Sequence, residues 1–129
     1  MKGEEGGNGR KMKSDLPERA FDFAKRIVAL CVSLDERPGV GRTLARQLLG
    51  SGTSVGANVE EGQAAQGEAD FLSKYSIACK EARETHYWLR LLIAADLVPE
   101  PRLAALVGEC DELVAILTAI VKKLKMKRV

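Results

Sequence analysis

Aromatic side chains are scarce in this chain, with three Phe, two Tyr and one Trp making up 5% of 129 residues. Ala, Leu, Val, Glu, Lys and Arg dominate instead, a balance that favours helices over a sandwich or barrel. Cysteine is also sparse: Cys31, Cys79 and Cys110 are far apart and form no Cys-x-x-Cys pair. An odd, scattered set argues against a disulfide framework and a zinc site, so the three are expected to be small buried hydrophobes in a reducing cytoplasm. The single histidine, His86, is too few for a di-iron bundle, which needs two Glu-x-x-His pairs. No serine or cysteine is placed beside a base by spacing, and no partner for His86 is visible, so it reads as a core or interface histidine. No catalytic, metal-binding or cofactor-binding residue is therefore expected, and the chain reads as a non-enzyme. Long apolar runs are missing too. The longest uncharged stretch, Gln47 to Val59, is full of glycine and serine, and the N-terminus has no apolar signal core. Neither export nor a membrane span is predicted, which leaves a cytoplasmic protein. Finally, charge of one sign is lacking: 20 basic and 18 acidic residues leave a net charge of +2. Attraction to a polyanion has to come from a local cluster.

What is present is helical periodicity. The stretch from Glu68 to Leu97 runs thirty residues without proline or glycine. Phe71, Tyr75, Ala78, Ala82, Leu89 and Leu92 recur at helical spacing, with a second row at Leu72, Cys79, His86 and Ile93. One helix with so broad an apolar arc needs other segments to cover it. Before it, Asp15 offers an N-cap oxygen, with Pro17 in the first turn and Glu18 completing a capping box. The first helix would bury Phe21, Ala24, Ile27, Val28, Cys31 and Leu34, and Pro38 and Gly39 stop it. The last segment repeats the pattern most cleanly, from Leu103 through Cys110, Leu113 and Leu117 to Leu124.

The second segment divides the signals. Gly50, Ser51, Gly52, Thr53, Ser54 and Gly56 are poor helix formers, and propensity alone would write a loop. Periodicity argues for a continuous helix, because Leu48, Val55 and Val59 keep one row while Gln47, Ser51, Ser54, Asn58 and Glu61 keep a polar one. The small residues would then let a neighbouring backbone approach closely, and Gly62 would cap the C-terminus. The GSGTSVG stretch lacks the ending of a phosphate-binding P-loop and the preceding strand of a dinucleotide site. The expectation is a tail over residues 1–14, disordered and glycine-rich, and one domain over 15–129. That domain is an all-α, antiparallel up-down-up-down four-helix bundle with helices at about 16–36, 40–61, 68–97 and 101–125.

Two groups of polar residues are candidates for more than solvation. Ser54, Asn58 and Glu61 on helix two can meet Glu81, Arg83 or Glu84 on helix three and set the helix register as a structural polar network. Lys122, Lys123, Lys125, Lys127 and Arg128 crowd the C-terminus, and Arg42 and Arg46 lie one turn apart on helix two. Lysines there complement the helix dipole, and contact with a phosphate backbone is the functional alternative. Tyr87 and Trp88, the one adjacent aromatic pair, are candidates for a protein interface.

The segments RQLLGSGTSVGANVEEG (Arg46 to Gly62) and DFLSKYSIACKEARETHYWLRLL (Asp70 to Leu92) resemble the bacterial four-helix-bundle family encoded by intervening sequences in 23S ribosomal RNA genes. The resemblance spans about Phe21 to Leu124. It implies a continuous helix two closed by the Asn-x-x-Glu-Gly element at Asn58 to Gly62, and a Glu-Ala-x-Glu-Thr element at Glu81 to Thr85. It also implies a homo-oligomer, typically a pentamer. A related accessory protein of diversity-generating retroelements pairs with a reverse transcriptase and binds nucleic acid. RNA, DNA or a nucleic-acid enzyme is therefore an implied partner, and a protein-only scaffold is the alternative.

Overall fold

The computed structural model describes residues 15–128, the side chain of Arg128 excepted, so the tail expected over 1–14 lies outside the described residues. It consists of four helices, α1 (Leu16–Leu34), α2 (Val40–Gln63), α3 (Glu68–Ala94) and α4 (Glu100–Arg128), with no strand among the described residues. Short connections force successive helices to run antiparallel. Accordingly Ile27 lies on Gly52 and Ala20 on Gly56, Ser51 meets Thr85 while Gly62 meets Tyr75, and Ala82 meets Cys110 while Cys79 meets Thr118. The result is the expected up-down-up-down bundle. Its core is built from Phe23, Ile27, Leu48, Val55, Val59, Tyr75, Leu89, Leu92, Leu113 and Leu117.

α2 is unbroken through its glycines, so periodicity wins over propensity. The reason is contact: a Cβ on Gly52 would lie 2.8 Å from Ile27 Cγ2, and one on Gly56 would lie 3.2 Å from the Ala20 carbonyl oxygen. Small residues stand where α1 comes closest, and tertiary packing repays what they lose in propensity. Gly62, expected as a C-cap, is instead buried inside α2 under the Tyr75 ring, and the helix runs on to Gln63.

Three further expectations need correction. The capping box at Asp15 does not form: its side chain makes no cap hydrogen bond, and its Oδ1 is buried without a partner among the described residues. On α1 the phase of the apolar stripe differs. Leu16, Ala20, Phe23, Ile27, Leu30 and Cys31 face the core, whereas Phe21 is 62% exposed, Val28 42% and Val32 60%. Two apolar rows run along this helix, and periodicity cannot tell which one the other three helices cover. α3 ends at Ala94, three residues before the expected end at 97. Asp96 takes the left-handed conformation (φ 59°), and the Leu97 N–H turns back to donate to the Leu92 carbonyl at 2.9 Å. This is a Schellman closure with aspartate in the position glycine usually fills, which hid the stop signal.

α1 and α4 touch least of the neighbouring helices, and a polar clamp joins them. Arg19 Nε and Nη2 donate to the two oxygens of Glu109 at 3.0 and 2.8 Å, and Nη2 also donates to Glu112 at 2.8 Å. The two carboxylates hold the guanidinium well above its ordinary pKa. Arg19 and Glu109 are about three-quarters buried, so Arg19→Met leaves Glu109 half-desolvated without its partner. A loss of about 2 kcal/mol in urea unfolding is expected. An unchanged midpoint would mean the clamp is only surface decoration.

The three cysteines are free and buried, as expected. Cys31 and Cys110 donate weakly to the carbonyls of Ala45 and Ala82, at 3.3 and 3.4 Å. Burial pushes the Cys31 thiol up to about 11 and the Cys110 thiol up to about 12, the latter helped by the adjacent charges of Asp111 and Glu109. Both folded values lie above the ordinary 9.0, so the stability these thiols contribute is complete below about pH 9 and is lost as pH climbs through 11 and 12. Unfolding free energy should therefore fall between pH 9 and 11, and Cys110→Ala should flatten that fall. Identical slopes for the two proteins would show that the thiol does not carry it.

Candidate nucleic-acid interface

The sequence candidates scatter when placed on the fold. Arg42 is used locally: its Nε and Nη2 donate to the Asp35 carbonyl at the end of α1, at 3.2 and 2.7 Å, and Nε lies 3.1 Å from Asp35 Oδ1. Arg46 is exposed on α2 beside Val28 and Leu49. Lys127 reaches across to Glu68 at the start of α3, 3.0 Å away. Lys123 points to solvent, and the side chain of Arg128 lies outside the described residues.

Arg42 and Arg46 share one surface at the start of α2, close to Asp35, and within the described part of the C-terminal cluster Lys122 and Lys125 converge with cations of another helix. Lys122 and Lys125 line an open groove between α3 and α4 of about 610 Å³, together with Lys80, Arg83, Ser76, Cys79, Thr118 and Val121. Two matched rows build it. Ser76, Lys80 and Arg83 lie at i, i+4 and i+7 on α3, and Thr118, Lys122 and Lys125 repeat that spacing on α4. Each row presents one hydroxyl and two cations. The α3–α4 seam sets their separation: Cys79 Sγ lies 3.4 Å from Thr118 Oγ1, and Arg83 Nη2 donates to the same hydroxyl at 3.2 Å. Arg83 was expected to face helix two and instead joins helix four. No carboxylate lines the groove, and none of its four cations forms an ion pair among the described residues.

One oriented guanidinium and three flexible ammonium groups around a trough suit successive phosphates. No aromatic ring lines the groove, so it can hold a backbone but cannot stack bases. Sequence reading missed Lys80, Arg83, Ser76 and Thr118 because the two rows are some forty residues apart. The repeated hydroxyl–cation–cation spacing was the available signal.

The expected polar network is rearranged. Asn58 Nδ2 donates to the Ser54 carbonyl and hydroxyl at 2.9 and 3.0 Å, within α2. Glu61 lies 3.7 Å from Lys74, and Glu84 accepts from Trp88 Nε1 at 3.3 Å. Glu81 contributes its backbone carbonyl, which accepts from Thr85 Oγ1 at 2.7 Å. The buried cross-helix link is Thr85 Oγ1 to Ser51 Oγ at 2.9 Å, a pair of hydroxyls rather than charges. His86 has a partner that sequence did not reveal, with Nε2 2.8 Å from Asp111 Oδ1 on α4. Tyr87 is half-exposed and packs edge-on against Trp88, ring centroids 5.1 Å apart. Among the described residues no cluster of His, Cys, Asp and Glu could hold a metal ion, and no helix is long and apolar enough to cross a membrane.

Comparison with known proteins bears on the fold and the family. A crystal structure from Bacteroides thetaiotaomicron, of a protein with unknown function from the S23 ribosomal protein family, is 38% identical and superposes with a TM-score of 0.76. The match covers 82% of this chain and 97% of that one. No curated protein matches the chain. The model of the 23S rRNA-intervening sequence protein family matches residues 12–119. Ser76, Lys80, Arg83 and Thr118 fall inside the match, while Lys122 and Lys125 lie just beyond it. A match over most of the chain, joined to that identity with the Bacteroides protein, makes this chain a member of the 23S rRNA-intervening sequence protein family.

Proposed function

We propose that the chain is a non-enzymatic, homo-oligomeric bundle of the cytoplasm that holds an RNA or DNA backbone in the α3/α4 groove. The observation that carries this reading is the groove itself: Lys80, Arg83, Lys122 and Lys125 surround one trough with no carboxylate in its lining. A net charge of +2 cannot coat nucleic acid by itself, but four cations at one place make a local potential. Self-association repeats that groove around the assembly, so weak single contacts add by avidity. The resemblance to pentameric bundle proteins supports the assembly, and the family's name makes ribosomal RNA the first ligand to try.

Light scattering on the protein with and without a structured RNA, at low and then moderate salt, tests both parts. An oligomer that gains RNA mass at low salt and sheds it as salt rises is the expected result. A nucleic-acid enzyme such as a reverse transcriptase is the protein partner this reading admits, while a second reading, a protein-only assembly module with no nucleic-acid role, is favoured by the exposed Tyr87 beside Trp88. It predicts an oligomer indifferent to RNA.

A further inference from the structure

The register of α3 against α4 puts the polar groups of the groove in a definite order. Lys127 meets Glu68, Cys79 meets Thr118 and His86 meets Asp111, so the antiparallel register holds along the seam. Lys122 and Lys125 therefore lie between the first two contacts, toward the start of α3. Lys80 and Arg83 lie beyond the Cys79–Thr118 contact, toward its end. Along the groove the order is Arg83, Lys80, the hydroxyls of Thr118 and Ser76, Lys122 and Lys125. The two pairs of cations do not face one another across the trough. Each wall sets its hydroxyl near the other wall's cations, as the Arg83 bond to Thr118 Oγ1 at 3.2 Å shows.

That stagger decides the form of nucleic acid. Facing rows would grip two strands across a duplex groove, whereas a single file grips one. Lys125 stands abreast of about Phe71 on α3, so the file extends over about twelve residues, or roughly 18 Å at about 1.5 Å rise per residue. Both walls are unbroken helices, which keeps the trough straight over that length. A duplex strand cannot follow it: with a turn of about 34 Å, each strand passes to the far side of the duplex in about 17 Å. An unpaired strand can extend along the trough with its bases turned to solvent, because the lining offers no ring to hold them.

We infer that the α3/α4 groove is a track for an unpaired strand of RNA or DNA, laid along the bundle axis, with phosphates held by Arg83 and Lys80 at one end and by Lys122 and Lys125 at the other. This rests on the nucleic-acid reading above and names the form of its ligand. Ser76 and Thr118 put hydroxyls beside the backbone between the two pairs. A folded RNA then enters through a loop or an end rather than through a paired stem.

Fluorescence anisotropy with a labelled oligouridylate, the matching oligothymidylate and an RNA duplex of equal length, at about 50 mM salt, tests the assignment. The two single strands should bind alike. Each should bind at least about tenfold more tightly than the duplex, which reaches only one end's pair of cations at a time. A duplex that binds as tightly as the single strands overturns the inference and leaves the nucleic-acid reading standing. A thymidylate that fails to bind would require contacts to the 2′-hydroxyl and overturn a hold on phosphates alone. If none of the three binds, the nucleic-acid reading falls and this one with it. Two double variants locate the track: Lys80→Gln with Arg83→Gln, and Lys122→Gln with Lys125→Gln. Each removes two of the four cations and should weaken oligouridylate binding at least about tenfold, by similar factors. Lys122 and Lys125 are exposed, so the second variant keeps its fold even if loss of the Arg83 bond disturbs the first, and circular dichroism checks both. A loss confined to one pair would show two unconnected clusters and overturn the single track.

Discussion

Gly62→Val is expected to destabilise the protein by about 3 kcal/mol, the upper range for overpacking a tight core, and to lower its melting temperature by on the order of 10 °C. Gly62 lies inside α2 against the flat of Tyr75, and a Cβ placed there would fall on ring carbons Cε1 and Cδ1, 2.6 Å from the latter. The ring has nowhere to go. It is 2% exposed, stacks on Phe71 with centroids 4.3 Å apart, and its hydroxyl accepts from Gln63 Nε2 at 2.7 Å. A shift that made room would break the stack and the hydrogen bond together, or push α3 away from α2 along its most extensive contact. Replacing a helical glycine ordinarily gains up to about 1 kcal/mol from backbone entropy, which is too little to offset the clash. Gly108→Ala is the control, because a Cβ there meets nothing within 4 Å and should stabilise by roughly 0.5–1 kcal/mol. Urea unfolding of the two variants should move in opposite directions. If Gly62→Val unfolds with wild type, the two helices do not approach as closely as described.

That pair of glycines also shows what sequence could and could not convey. The unbroken α2 was legible, because two rows of period 3.6 survived a stretch of poor helix formers, and those formers sit where Ile27, Ala20 and Tyr75 press in. Helix number, antiparallel order and most of the core on α3 and α4 followed from the same periodicity. The phase of α1 was not legible. Phe21, Val28 and Val32 are as periodic as Phe23, Ile27 and Leu30, and which row is covered depends on where three other helices lie. Terminators that rely on backbone shape were hidden too, as Asp96 shows by closing α3 without a glycine. Long-range pairs were the least visible. His86 and Asp111, Arg19 and Glu109, and the two rows of the groove each join positions that only the packed bundle brings together. Reading charge by proximity in sequence picked out the C-terminal lysines, yet Lys127 is spent on Glu68 and Lys123 stands apart, while Lys80 and Arg83 complete the cluster.

The groove makes a quantitative prediction about salt. If Lys80, Arg83, Lys122 and Lys125 each neutralise one phosphate, log K should fall against log salt with a slope of about −3.6 on duplex and about −2.8 on single strands. Raising salt from about 50 to about 200 mM should then weaken binding roughly 10²-fold per protomer. Changing all four to glutamine should remove most of that slope and at least a comparable factor of affinity at low salt. These side chains are surface groups outside the core, so the fold should survive, as urea unfolding can check. Lys123→Gln separates this cluster from general basicity, since it removes the same charge from the same helix away from the groove. It should leave the slope unchanged, whereas Lys122→Gln, which removes one groove cation, should make it shallower by about 0.9 on duplex. With no ring to stack on, the groove should also bind RNAs of different sequence with similar affinity, discrimination coming at most from backbone shape. A quadruple variant that keeps the wild-type slope would take the phosphates away from this groove, and a strong preference for one sequence would require base contacts that its lining does not contain.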